Sequence, residues 1–183
     1  MNPILDDPRG IYTGGVPQIS QSPPAPPSAR AGSLGGRPIL KLGVKVIPYR
    51  TESAKAASVT TGDVAQWLEH RYGLMEVYVR VRGRVIENAI STSVEGALEA
   101  LVMGRRVDPF ARGMSAIESD FKRWISSGAA ERDVPGAPTG AAKRGVNHRL
   151  AHPYRKSNPR RVSFRDTGLF MSSFSAWVTR GAA

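Results

Sequence analysis

The chain contains no cysteine. That excludes disulfide scaffolding, cysteine-ligated metals and thiol catalysis, and it suits folding in a reducing compartment. No apolar run approaches the roughly 20 residues that a membrane-spanning helix needs, so no membrane partner is expected. The opening MNPILDDPRG holds two acids and no apolar core, unlike a signal peptide. There is no Gly-x-x-x-x-Gly-Lys phosphate loop, no Gly-x-Ser-x-Gly elbow and no internal repeat. The three histidines, His70, His148 and His152, are far apart or loosely spaced. His148 and His152 are four residues apart, but Pro153 argues against a helix there, so no metal site and no cofactor are expected.

Acidic residues are scarce in one region. From residue 134 to the end there are nine Lys and Arg and one acid, Asp166, whereas residues 1–133 hold 17 basic and 14 acidic residues. Most of the net charge of +11 therefore sits in the C-terminal third. Such one-sidedness points to a polyanion or an acidic protein surface, or else to a solvated basic face.

The 183 residues suffice for one domain with a core plus an extension, and the 40% hydrophobic content is ordinary for a globular chain. The division falls near residue 37. Residues 1–38 hold eight of the 14 prolines, and QSPPAPPSARAGSLGGRP can form neither a helix nor an interior strand. Residues 1–37 are expected to be an extended arm that only a neighbouring subunit or partner would order. Residues 38–183 are expected to form a single domain.

Within that domain, PILKLGVKVIPY alternates, with Leu40, Leu42, Val44 and Val46 facing one way, so a half-buried strand is expected over 38–49. TTGDVAQWLEHRYG reads as a helix over 60–73, capped by Thr61 or Asp63, with Val64, Trp67, Leu68 and Tyr72 near one face and Gly73 as its stop. Val77, Val79 and Val81 alternate with Tyr78, Arg80 and Arg82, which favours a strand. From Arg84 the period becomes helical through Ile86, Ile90, Val94, Ala97, Leu98 and Leu101, ending at Gly104. The clearest helix spans 108–127, with Asp108 as N-cap, Pro109 at its first position and a stripe of Phe110, Met114, Ile117, Phe121 and Ile125, widened by Trp124. Residues 129–163 read as a long loop, with room for a brief helix over 141–150. The predicted class is α+β, with three main helices on a small sheet, the Pro-rich arm and the long basic loop.

The triplet Asp166-Thr167-Gly168 carries the catalytic carboxylate in aspartic proteases, where two carboxylates about 3 Å apart share a proton. Here Arg165 precedes it in place of a buried apolar strand, 15 residues follow it, and the upstream chain is largely helical. A structural role explains the same letters: Asp166 and Thr167 cap a short helix begun at Gly168, and FSAWVT forms a terminal strand. Phe164, Phe170, Phe174 and Trp177 would then dock this tail on the core or on a neighbour.

The basic loop presents Lys143, Arg144, Arg149, Arg155, Lys156, Arg160, Arg161 and Arg165 with no acid among them and Tyr154 as its one aromatic before Phe164. The pattern suits contact with a phosphate backbone or an acidic partner, not base stacking. On these residues alone a cytoplasmic, shape-reading nucleic-acid-binding protein is one reading.

VDPFARGMSAIESDFKRWI, GAPTGAAKRGVNHRL and RRVSFRDTGLFMSSFSAWV together resemble the neck and tail-completion proteins of tailed phages, over roughly residues 60–178. The feature that carries the likeness is a basic loop followed by Phe-x-Asp-Thr-Gly-Leu-aromatic-x-x-Ser-Phe and a last strand. The resemblance implies an α+β subunit without enzymatic activity, made in the host cytoplasm and built as a homo-oligomeric ring into the virion neck. The implied neighbours are portal or adaptor proteins, tail-terminator or tail-tube proteins, and packaged double-stranded DNA. A tail terminator is the alternative position in the particle. The arm at 1–37 is not part of the family pattern.

Overall fold

The computed structural model describes residues 37–49 and 59–181, and the expected arm at 1–37 lies almost wholly outside them. The elements, in chain order, are strand β1 (Pro38–Val44), helices α1 (Thr61–Tyr72), α2 (Leu74–Val102), α3 (Ala111–Ser126), α4 (Ala129–Asp133), α5 (Gly140–Lys143) and α6 (Leu169–Ser173), and strand β2 (Phe174–Arg180). The class is α+β: helices pack on a two-stranded antiparallel sheet in which Val44 faces Phe174 and Pro38 faces Arg180.

Helix α1 begins where side chains can satisfy its free amides. The cap is Thr60, one residue before the expected Thr61. Its hydroxyl accepts from the Asp63 amide, and the Asp63 carboxylate accepts from the Thr60 amide. The Thr60 hydroxyl also donates to that carboxylate, and this bond first, then the one from the Thr60 amide, holds the Asp63 carboxyl below its usual range. Thr61 is instead fully buried and bridges the chain after β1, donating to the Lys45 carbonyl and accepting from the Ile47 amide. Gly73 ends α1 in the left-handed conformation, φ 57°, which favours glycine. Trp67 lies 59% exposed, off the face that Val64, Leu68 and Tyr72 present to the core.

The expected strand over 77–81 does not form. Helix α2 starts at Leu74, directly after Gly73, and the Glu69 carboxylate accepts from the Met75 and Glu76 amides, supplying the cap the new helix needs. Leu74, Val77, Tyr78 and Ile86 then fall on one buried face, while Val79 and Val81 are exposed. The alternation of valines mimicked a strand, but burial follows the helical period. The expected inward strand residue Val46 is also exposed, because β1 ends at Val44.

Helix α3 starts at Ala111, three residues after Asp108, whose carboxylate still accepts from the Phe110 amide just ahead of it. Met114, Ile117, Phe121, Trp124 and Ile125 are all buried, as their spacing requires. Phe121 is the centre of the core. It stacks on Phe174 of β2 with centroids 3.8 Å apart and meets Tyr78 of α2 edge-on at 5.0 Å. Beneath this cluster, the Tyr78 hydroxyl donates to the Ile117 carbonyl and the Asp120 carboxylate, which also accepts from Arg82. Burial, and then the Asp120 charge, push the Tyr78 phenol well above its usual range.

Helices α2 and α3 cross at Gly113. A Cβ there would sit 2.9 Å from the Ala89 carbonyl oxygen and 3.2 Å from the Ser93 Cβ. The buried side of α2 runs through Ile86, Ser93 and Ala100, so Leu98 and Leu101 lie in the open, each 58% exposed, and not in the core as their spacing suggests.

Two predictions follow from this packing. An exposed helical Gly→Ala change gains about 1 kcal/mol; Gly113→Ala should instead lose about 1–3 kcal/mol in urea unfolding, as overpacking does. Tyr78 has a folded-state pKa above its unfolded value of 10.0, so its contribution is complete below pH 10 and lost as pH rises further. Urea midpoints measured across that limit should fall less steeply for Tyr78→Phe than for the wild type.

Candidate functional site

The basic segment is not a bare loop. It contains α4 and α5, and the helix expected over 141–150 is only the single turn of α5, capped by Thr139, whose hydroxyl accepts from the Ala142 amide. The segment is fastened at both ends. At its start, the Trp124 indole donates to Asp133 at 2.7 Å. At its end, Ser163 is fully buried; its amide donates to Glu131 at 2.7 Å and its hydroxyl accepts from the Thr139 amide at 3.0 Å. Burial acts to raise the Glu131 pKa, but hydrogen bonds from Ser163 and Arg160 outweigh it and hold the carboxyl below its usual range. Phe164 follows at φ 63°, a conformation costly for a side chain of this size, and is kept there by burial against Tyr72, edge-on at 5.4 Å.

Three of the eight expected surface cations are internal ties. Arg149 donates twice to the Thr167 carbonyl, at 3.0 and 2.7 Å. Arg160 pairs with Glu131 at 3.0 Å. Arg161 donates to the Val146 and Val162 carbonyls and lies 3.9 Å from Asp166. Each guanidinium satisfies groups that no helix or strand would. The other five, Lys143, Arg144, Arg155, Lys156 and Arg165, are exposed, and their side chains have no hydrogen-bond or ion-pair partner among the described residues.

Asp166 is not a helix cap. Its carboxylate accepts from the His148 amide at 2.9 Å and binds the same residue's ring Nδ1. The ring's other nitrogen meets the Tyr154 hydroxyl at 2.9 Å. Sequence spacing concealed this pairing, because the partners are 18 residues apart. Thr167 does act at the helix start, its hydroxyl accepting from the Leu169 amide at 3.2 Å. Gly168 occupies the N-cap position at φ 87°, where an added Cβ would lie 2.3 Å from the Arg149 guanidinium. Phe170 and Phe174 dock in the core as expected. Trp177 does not: it points away, 37% exposed, over Gly43.

The chain Asp166–His148–Tyr154 has the connectivity of a proton relay: if Nδ1–H donates to Asp166, Nε2 accepts from the phenol. The setting is that of a clasp. The His148 and Asp166 side chains are 42% and 34% exposed, and the neighbouring groove, lined by Ala151, His152, Pro153, Tyr154 and Arg155, is a shallow surface feature. Where an aspartic dyad would set a second carboxylate, Asp166 faces an imidazole and a guanidinium. Among the described residues no group of three His, Cys, Asp or Glu could hold a metal, and no helix is long and apolar enough to cross a membrane.

In comparisons with protein-family models, curated proteins and solved structures, the chain has no match.

The clasp predicts that Asp166→Ala costs about 1 kcal/mol, the scale of a partly exposed charged hydrogen bond. Amide exchange should show the His148 amide losing protection while the α3 core keeps it.

Proposed function

We propose that this chain is a non-enzymatic structural subunit of a tailed-phage virion. In this reading it forms an oligomeric ring in the head-to-tail connector, joining the DNA-filled head to the tail around the DNA channel. The observation that carries the assembling role is the uncovered end of α2 and the turn after it. Leu98, Leu101, Val102, Met103 and Val107 are each more than half exposed, with Val102 at 89%. Scattered exposed apolar residues need no explanation; five within ten residues of chain form a patch that water disfavours and a neighbouring subunit would cover.

The sheet supports the same reading. Two strands alone make a marginal sheet. The outer side of β2 is partly covered, because Glu118 of α3 accepts from the Ala176 amide at 3.0 Å. No strand pairs with the outer edge of β1 among the described residues, and such an edge can extend across a subunit boundary. The position in the neck rests on the sequence resemblance centred on RRVSFRDTGLFMSSFSAWV, and the neighbours it names are portal or adaptor proteins on one side and tail-terminator or tail-tube proteins on the other.

Mass spectrometry of purified particles should find the chain in the virion, and crosslinking within particles should join copies through residues 98–107. The double substitution Leu101→Glu and Val102→Glu should change subunit stability by no more than about 0.5 kcal/mol, as surface changes do, yet prevent incorporation. Absence from particles, a single copy per particle, or normal incorporation of the double variant would contradict the proposal.

A further inference from the structure

The eight cations of the basic segment divide by what they already hold. Arg149, Arg160 and Arg161 are bonded within the fold, and the two acids nearest them, Glu131 and Asp166, are occupied. Nothing among the described residues neutralises Lys143, Arg144, Arg155, Lys156 or Arg165. The fold nevertheless brings them together. The Asn147 amide donates to the Pro153 carbonyl at 3.1 Å and the Arg161 amide to the Ala142 carbonyl at 3.2 Å, so the two limbs of the segment run side by side. Between those bonds the limbs nearly touch: a Cβ on Gly145 would lie 2.4 Å from the Asn158 carbonyl oxygen. Lys143 and Arg144 thereby lie opposite residues 158–161, and Arg155 and Lys156 come just before that stretch on the same limb. The Asp166–His148–Tyr154 clasp has Arg165 next to one end and Arg155 next to the other. Like charges held close repel one another, and here the loop is fixed against that repulsion by the three tied arginines and the clasp.

We propose that Lys143, Arg144, Arg155, Lys156 and Arg165 form a preset surface for the phosphate backbone of double-stranded DNA, read without regard to sequence. Unpaired cations on a fixed segment suit the phosphates of a duplex, and releasing the DNA counterions supplies the driving force. Single strands suit it less. The segment's exposed aromatic, Tyr154, has its hydroxyl on His148 and its ring edge-to-face with the imidazole at 5.4 Å, so it is engaged within the clasp and is not a free stacking platform. The inference deepens the connector reading, on which it rests for the source of the DNA.

The test is binding of the full-length chain to a short labelled duplex of arbitrary sequence over a range of salt concentrations, beside a measurement of oligomeric state. Replacing Lys143, Arg144, Arg155 and Lys156 by Gln should lower the slope of log affinity against log salt by about 3–4, close to 0.9 per lost phosphate contact. Replacing Arg71, Arg80, Arg84 and Arg123 by Gln removes equal charge away from both this surface and the 98–107 patch, and should leave the slope nearly unchanged. Circular dichroism should show both variants folded. No duplex binding by the wild type at low salt overturns the proposal. So do equal losses from the two variants, which would mean net charge alone, or binding to poly-glutamate in place of duplex, which would mean an acidic protein partner. A monomeric chain that keeps the site-dependent slope removes the connector reading and leaves this surface standing.

Discussion

The structure depends on one stacked pair. Phe121 of α3 and Phe174 of β2 lie face to face at 3.8 Å, with Tyr78 of α2 edge-on to both. These rings join the longest helix, the most amphipathic helix and the last strand, which come from three distant parts of the chain. A two-stranded sheet has too little surface of its own to persist in water, so β1 depends on β2 and β2 depends on Phe174. The hydrogen-bonded group of Tyr78, Asp120 and Arg82 sets how α2 and α3 meet, because burying the Asp120 carboxylate without the guanidinium would be strongly unfavourable.

The basic segment inherits its rigidity from this core. Its first anchor, Trp124, lies against the same aromatic cluster, and its last, Ser163 and Phe164, turns the chain straight into α6 and β2. Polar bonds then shape what lies between. The result is a surface whose cations have different tasks: Arg149 and Arg161 hold backbone carbonyls, Arg160 holds Glu131, and the other five are exposed. Asp166 belongs to the holding group, so the triplet Asp166-Thr167-Gly168 serves the joint between loop and tail: a carboxylate for His148, a hydroxyl for the α6 amide and a glycine that lets Arg149 approach.

Much of the fold was legible because single-period signals were strong. The stripe from Met114 to Ile125 and the alternation of Phe174 and Ala176 each predicted the buried face correctly. The start of α2 was not legible, since valines at every second position suit a half-buried strand. What overrode them was the left-handed Gly73 and the Glu69 side chain reaching two amides of the next helix. Leu98 and Leu101 follow the helical period yet stay outside, because the side of α2 that is buried runs through Ile86, Ser93 and Ala100, and the last two are too small to mark it in the sequence. The partition of the arginines was equally hidden. Their partners are mostly backbone carbonyls, which every residue offers, so only the folded path of the loop selects them.

The tail from Phe164 onward is the structural keystone that holds both the sheet and the basic segment in place. Hydrogen exchange combined with urea unfolding of Phe174→Ala tests it most directly. The variant should lose about 3–5 kcal/mol, as for other buried Phe→Ala changes, with amides of β1, α3 and the basic segment losing protection together. Fraying confined to β1 and β2, with α3 and the basic segment protected as in the wild type, would contradict it.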